Sequence, residues 1–423
     1  MAQLFSNIID DFSKKDFKIF SFYNSIEVSN IVTLIPTGHA RYYPIKFNKS
    51  TKEIFEGQLN LFNKSFYENY NRPIKLSKSD YSLKLIPKKE KCLIINLLDN
   101  CFGHSLLKVF NLIEIHKKFN NDFDLLVIVP KSLEYLIPSE KFILCTVNIS
   151  YSSLEKCFDF SPILDKVKLN YKTFDCATTS TYKEYSGKNV LLDFFFEKLD
   201  NNIQKNILFY YRTDKYRKWN GKYQGRNITK LYQFLKPYFS NDVKYIILGE
   251  LDDYKFPSWI VDKRVNKYSK EVDIEYNQEF SKSAITIGLH GSSLLLPSVL
   301  SLSTFHLISH HKRHNAVEDT VNLIDSSLNS WYSNPQIFGN SSLNSIKPVD
   351  LFSNIIILFS SFLEKKYKQD CLKMDSNKPF IGQNSYIKER YSFFNYNLAI
   401  NYRDKLERKS FVRTKIKSKL GIS

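Results

Sequence analysis

At 423 residues the chain is long enough for two domains of ordinary size, and its 43% hydrophobic and 25% charged residues exclude a disordered or wholly membrane-embedded protein. A formal net charge of +18 implies an anionic partner, whether nucleic acid, an anionic membrane surface or a phosphorylated substrate. The six cysteines form no C-x-x-C pair and no zinc-spaced cluster, Met1–Lys15 has no apolar signal core, and no run approaches the roughly 20 apolar residues that span a bilayer. These features point to a cytoplasmic protein, peripheral to the membrane at most.

In chain order, Ile31–Pro36 reads as a strand in an N-terminal elaboration. Cys92–Leu98 is an uncharged run that reads as a buried strand, Asp99–Gly103 turns the chain, and Ser105–Phe119 has helical apolar spacing. Asp124–Pro130 is the next buried strand, with Phe142–Asn148 and the region of Val167–Leu169 as two more. Asn189–Leu199 reads as a helix and polar Asn201–Lys205 as a hinge. A second series follows: strand Asn206–Tyr211, helix Arg226–Tyr238, strand Val243–Gly249, helix Tyr276–Ser283, strand Ala284–Leu289, a helix start over Leu294–Leu300, strand Phe305–Ser309 and helix Val317–Ile324. Strand, helix, strand at this spacing means parallel sheets covered by helices. Pro348–Lys368 carries Leu351, Ile355, Phe359 and Leu363 at i, i+4 spacing, a long helix expected to cross back to the first domain. The expected domains are residues 1–202, 203–345, and 346–423 as crossover helix and basic tail.

The chain is organised around the stretch from Ala284 to Ser301. A buried strand, the turn His290-Gly291-Ser292-Ser293 and a helix start would aim free amides and two hydroxyls at one spot, which is the construction of an anion site. An ordinary strand–turn–helix joint has the same pattern.

Three stretches resemble glycosyltransferase family 61. IGLHGSSLLLPSVL resembles its G-x-HGAxLxN stretch, Asn100-Cys-Phe-Gly-His-Ser-Leu-Leu107 its N-x-x-H-x-L stretch, and Tyr211-Arg212 with Arg226-Asn227 its paired arginines. Order and spacing agree over about Cys92–Ile324. The departures are an extra residue between Asn100 and His104, Ser292 in place of alanine, Leu296 or Pro297 where asparagine is frequent, and Lys108 where an acidic residue is common.

The resemblance implies an α/β fold of the GT-B plan, two Rossmann-like domains facing a cleft, and transfer of sugar from a nucleotide-sugar to a glycan or lipid-linked glycan of bacterial capsule, O-antigen or lipopolysaccharide. Hexosyl, pentosyl and Kdo transfer all remain open. It implies His104 as the base that accepts the acceptor's hydroxyl proton. It implies Arg212, Arg226, His290, Gly291, Ser292 and Ser293 as holders of the donor phosphate, and Glu318 as a holder of the ribose. No metal or other cofactor is expected: Asp252-Asp253 lacks the Asp-x-Asp spacing, and Asp122 with Asp124, which has it, precedes a strand at the wrong sheet edge. Lys215, Arg217, Lys218 and Lys222 make the intervening loop basic. His310, His311 and His314 complete no metal pattern. The segment Asn401–Leu420 holds eight basic residues against two acidic, with Tyr402, Leu406, Val412, Ile416 and Leu420 as an apolar stripe, a pattern that fits an anionic membrane surface. Two other functions compete. One is a nucleic-acid-binding protein, favoured by charge and by 34 Phe and 27 Tyr but lacking any helix-turn-helix, zinc-finger or RNP signature. The other is an inactive GT-B scaffold, which Lys108 leaves open.

Overall fold

In a computed structural model, residues 76–99, 101–148, 161–178, 188–196, 204–213, 219, 221–309, 321, 343–372 and 382–419 are described, with short segments at 19–20, 25–28, 31–34, 45–48, 50–51, 54–56, 74–75, 158–159 and 333–338. The chain forms two compact units, Met1–Lys198 with Val321–Ile324, and Leu199–Thr320 with Asp325–Ser423. Each is mixed α/β and is built on a sheet with a parallel core.

The first unit's sheet contains β1 (Ile19–Phe20), β2 (Tyr81–Leu83), β3 (Lys91–Asn96), β4 (Asp124–Pro130), β5 (Ile143–Val147) and β6 (Thr173–Thr178), in the order β1-β6-β3-β4-β5-β2. The four central strands are parallel, and β1 and β2 add antiparallel edges. β4 is buried along its whole length and β3 all but its first residue, as expected for strands covered on both faces. Each fully buried aliphatic side chain contributes roughly 1.5–3 kcal/mol. The region of Val167–Leu169 is not a strand. It lies in helix α3 (Ser161–Asn170), where Ile163 and Val167, one turn apart, are buried and Leu169 is 85% exposed. The segment 105–119 is two helices, α1 (Phe102–Phe110) and α2 (Leu112–Phe119), because the Asn111 amide bonds back only three residues to Lys108 O and tightens the chain there. Helix α4 spans Lys188–Phe195. A separate four-stranded antiparallel sheet joins Ser25–Val28, Ile31–Leu34, Ile45–Asn48 and Ile54–Glu56.

The second unit's sheet contains β7 (Asn206–Tyr211), β8 (Tyr245–Gly249), β9 (Val261–Asp262), β10 (Ser283–Leu289), β11 (Ser303–Ser309) and β12 (Ser333–Phe338), in the order β9-β8-β7-β10-β11-β12. Every pairing is parallel. In chain order this is 3-2-1-4-5-6, the arrangement of doubly wound dinucleotide-binding sheets. Pro335 sits on the edge strand β12, where a missing N–H costs least. Helix α5 begins at Gly221 and runs to Leu235, five residues earlier than its apolar periodicity suggests; α6 (Lys270–Ser281) is capped by the Ser269 hydroxyl, which accepts from the Val272 amide. After β10 comes a 3₁₀ turn, Ser292–Leu294, and then α7 (Leu295–Leu300), only six residues long.

The second unit also holds three C-terminal helices: α8 (Pro348–Leu372), α9 (Gln383–Arg390) and α10 (Tyr396–Lys419). The helix expected to cross back contacts α5 of its own unit, with Phe352 against Phe234, and its Leu351, Ile355 and Phe359 are buried.

Candidate functional site

In open α/β sheets, ligands bind beyond the C-terminal ends of the strands, where the strand order reverses. In the second unit that switch point lies between β7 and β10. Their last paired residues are Tyr210 and Gly288. Two residues further along each strand stand Arg212 and His290, so Arg212 and the turn 290–293 leave adjacent strands, roughly 4.8 Å apart, at that point.

The turn is shaped by Gly291, whose φ of +148° and ψ of −179° are open essentially to glycine alone. The His290 amide donates to Leu307 O and anchors the turn to β11, and the Leu294 amide donates to Gly291 O to close the 3₁₀ turn. Among the described residues, the amides of Gly291, Ser292 and Ser293 carry no hydrogen bond, and the buried Ser293 Oγ has no partner. A six-residue helix supplies little macrodipole, so the anion-binding capacity rests on these amides and the Ser293 hydroxyl, not on the helix dipole. His290 is buried, with Nδ1 3.1 Å from His306 Nδ1.

Arg212 is positioned through its backbone. The fully buried Gln224 of α5 accepts from its amide at 3.4 Å and donates to its carbonyl at 2.8 Å. The Arg212 guanidinium lies 4.0 Å from Glu250, whose carboxylate also accepts from the Thr213 amide at 2.7 Å. Tyr268 and Tyr210, hydroxyl to hydroxyl at 3.0 Å, stand in the same field. Behind them Arg264, with a buried side chain, binds Asp252 at 2.6 Å and Asp262 at 2.9 Å and lies over the Tyr211 and Phe256 rings. Tyr211 donates to Asp252 and to Gly221 O, which ties the starts of the Arg212 loop and α5 to the loop after β8. Asp252 is therefore held in a structural ion pair.

In the first unit the order reverses between β6 and β3. Asp99 and His104 follow β3. Asp99 is buried, and its Oδ1 accepts from the Cys101 amide at 3.1 Å and lies 3.2 Å from His104 Nδ1. A carboxylate only accepts, so Nδ1 carries the proton and Nε2 is the acceptor nitrogen of the neutral ring. Lys108 Nζ stands 3.0 Å from Asp99 Oδ2, but its aligned hydrogen bond goes to Leu98 O at 2.9 Å, so charge rather than a directed bond holds Oδ2. Burial pushes the Asp99 carboxyl up; the Lys108 ammonium and the His104 hydrogen bond outweigh it and hold it below the usual range. An Asp–His pair with a buried lysine behind it can orient a general base.

Arg226, expected at the helix start, is the sixth residue of α5 and is exposed. Glu318, Asn100, Lys215, Arg217, Lys218, His310, His311, His314 and most of Val317–Ile324 lie outside the described residues. Asp124 sits at the N-terminal edge of the first sheet, accepting from the Lys88 and Lys89 amides and from Tyr171. No group of three or more His, Cys, Asp or Glu among the described residues has metal-holding geometry. Sequence reasoning missed Asp99, Gln224 and His306.

No protein-family model and no curated protein matches the sequence. Among solved structures the chain is similar to the E. coli heptosyltransferase WaaC with ADP, at 8% identity and a TM-score of 0.35, over 63% of this chain and 99% of that one. It is also similar to TibC, an iron-containing dodecameric glycosyltransferase from enterotoxigenic E. coli, at 8% identity and a TM-score of 0.29, over 63% of this chain and 64% of that one. Both likenesses are distant and concern the fold alone.

Proposed function

We propose that the chain is a metal-independent GT-B glycosyltransferase of bacterial surface-polysaccharide synthesis, taking a nucleotide-sugar on the second unit and activating a glycan or lipid-linked glycan acceptor with His104 of the first. The observation that carries the proposal is the departure of Arg212 and the turn 290–293 from adjacent parallel strands at a topological switch point. In the transfer, the bond from the anomeric carbon to the donor phosphate breaks and its electron pair stays on the phosphate oxygen. Arg212 and the amides of Gly291, Ser292 and Ser293 meet that charge. The acceptor hydroxyl forms the new bond to the anomeric carbon and gives its proton to His104 Nε2, while Asp99 stabilises the imidazolium. Lys108, the departure that left an inactive scaffold open, serves as the counter-charge of Asp99.

A thermal-shift panel of UDP-, GDP- and CMP-sugars tests the assignment. One nucleotide-sugar should raise the melting temperature, since a ligand at 100 times its Kd stabilises by about 2.7 kcal/mol. Salt-sensitive binding of DNA or RNA with no response to any nucleotide-sugar would overturn it.

A further inference from the structure

The histidine of the turn is tied into a circuit of buried hydrogen bonds. His290 Nδ1 lies 3.1 Å from His306 Nδ1 on β11, His306 Nε2 lies 3.2 Å from Ser298 Oγ on α7, and Ser298 Oγ lies 2.7 Å from Leu294 O. Leu294 belongs to the same 3₁₀ turn that His290 leads into, so the circuit starts and ends beside the proposed phosphate site. All three side chains are buried.

We propose that His306 is a positioning residue for His290: one proton shared between the two Nδ1 atoms fixes His290 as the Nδ1–H tautomer and makes Nε2 the atom through which His290 gains and loses its proton.

The direction of each bond follows from the distances. Ser298 has one hydroxyl proton and two neighbours. The carbonyl at 2.7 Å is the closer and only accepts, so it takes that proton. Ser298 Oγ then accepts from His306 Nε2–H. A neutral imidazole protonated at Nε2 has a bare Nδ1, so the proton between the rings belongs to His290 Nδ1. A second proton on His306 would set two N–H groups face to face at 3.1 Å. Burial first, and then the neighbouring His290, push His306 well below the usual histidine range and keep it neutral. A proton that enters the pair therefore enters at His290 Nε2. In that form the ring is a cation at the turn. Only this consequence for phosphate rests on the proposed function; the tautomer does not.

Long-range proton–nitrogen NMR on histidine-labelled full-length protein reads the tautomers directly, with His290→Gln and His306→Gln assigning the signals. At alkaline pH, where both rings are neutral, His290 should appear as Nδ1–H and His306 as Nε2–H. His306→Phe should release His290 to the Nε2–H form that dominates in water, and His306→Asn, which keeps an acceptor, should restore Nδ1–H. If His306→Phe does not fold, Ser298→Ala replaces it: His306 should then lose its single Nε2–H form. A wild-type His290 seen as Nε2–H, or a His290 unmoved by His306→Phe, overturns the proposal. Failure of every nucleotide-sugar to bind, with these tautomers intact, would remove the glycosyltransferase assignment and leave the positioning role standing.

Discussion

Asp99 holds a buried lysine, a helix-entry amide and an imidazole with one carboxylate. Removing its counter-charge should be costly: Lys108→Met leaves the carboxylate buried with its chief cation gone, for about 3–5 kcal/mol measured by urea unfolding. The pH dependence has a definite sign. The folded Asp99 sits below its ordinary value of 3.8, so the folded protein binds its proton less readily than the unfolded chain does. The stability it contributes is fully present above that ordinary value and is lost as pH falls through the lower folded value. Urea unfolding repeated through the acid range should show that loss in the wild type and a smaller one in Lys108→Met. Asp99→Asn should let His104 take either tautomer, lowering turnover roughly 10²-fold with nucleotide-sugar affinity retained; unchanged turnover would show that Asp99 does not orient the base. His104 was legible because it follows a strand and a glycine. Asp99 was not, because nothing local to it shows that Lys108 turns inward across one helical turn.

At the scale of elements, the turn after β10 depends on one backbone conformation. Gly291→Ala should destabilise the protein by about 1–3 kcal/mol, since the conformation is closed to side chains. It should also weaken nucleotide-sugar binding; thermal unfolding and titration calorimetry read the two effects, and an alanine variant equal to wild type in both would show the turn to be an ordinary joint. Gly249, at φ +107°, closes β8 beside β7, where a Cβ would collide with Tyr211 O. The strands themselves were legible, because β4, β7 and β10 are short, bounded apolar runs of the kind a two-sided parallel sheet requires. Helix limits were less so. Helix α7 stops at Leu300 because the chain must enter β11 at Ser303. Helix α5 starts at Gly221, a poor helix former, because the Tyr211 hydroxyl on β7 holds the Gly221 carbonyl and Gln224, in the helix's first turn, bonds the Arg212 backbone outside it. Both limits are set by tertiary contacts that periodicity does not contain.

At the scale of the molecule, the charge of +18 divides between residues the fold uses and residues it leaves. Arg403 pairs with Glu364 at 2.8 Å, and Tyr402 packs on Phe352 and bonds Ser353, so the start of the expected membrane stripe is committed to α8. Truncation from Arg403 should therefore cost stability. Truncation from Lys409 removes five basic and no acidic residues, taking the charge to +13; it should leave the melting temperature unchanged and reduce sedimentation with anionic vesicles, by about 1 kcal/mol per basic residue at low salt. Unchanged vesicle binding would end a membrane role for this segment. No described helix is long and apolar enough to cross a membrane. The most direct test of the whole account compares Arg212→Ala with His104→Ala in nucleotide-sugar affinity and in turnover. Arg212→Ala should lose affinity by roughly 10–100-fold, the worth of a charge-assisted hydrogen bond. His104→Ala should bind the donor normally and turn over roughly 10²–10⁴ times more slowly. Wild-type turnover in His104→Ala, or loss of donor affinity there with none in Arg212→Ala, would contradict the assignment of donor and base to their two units.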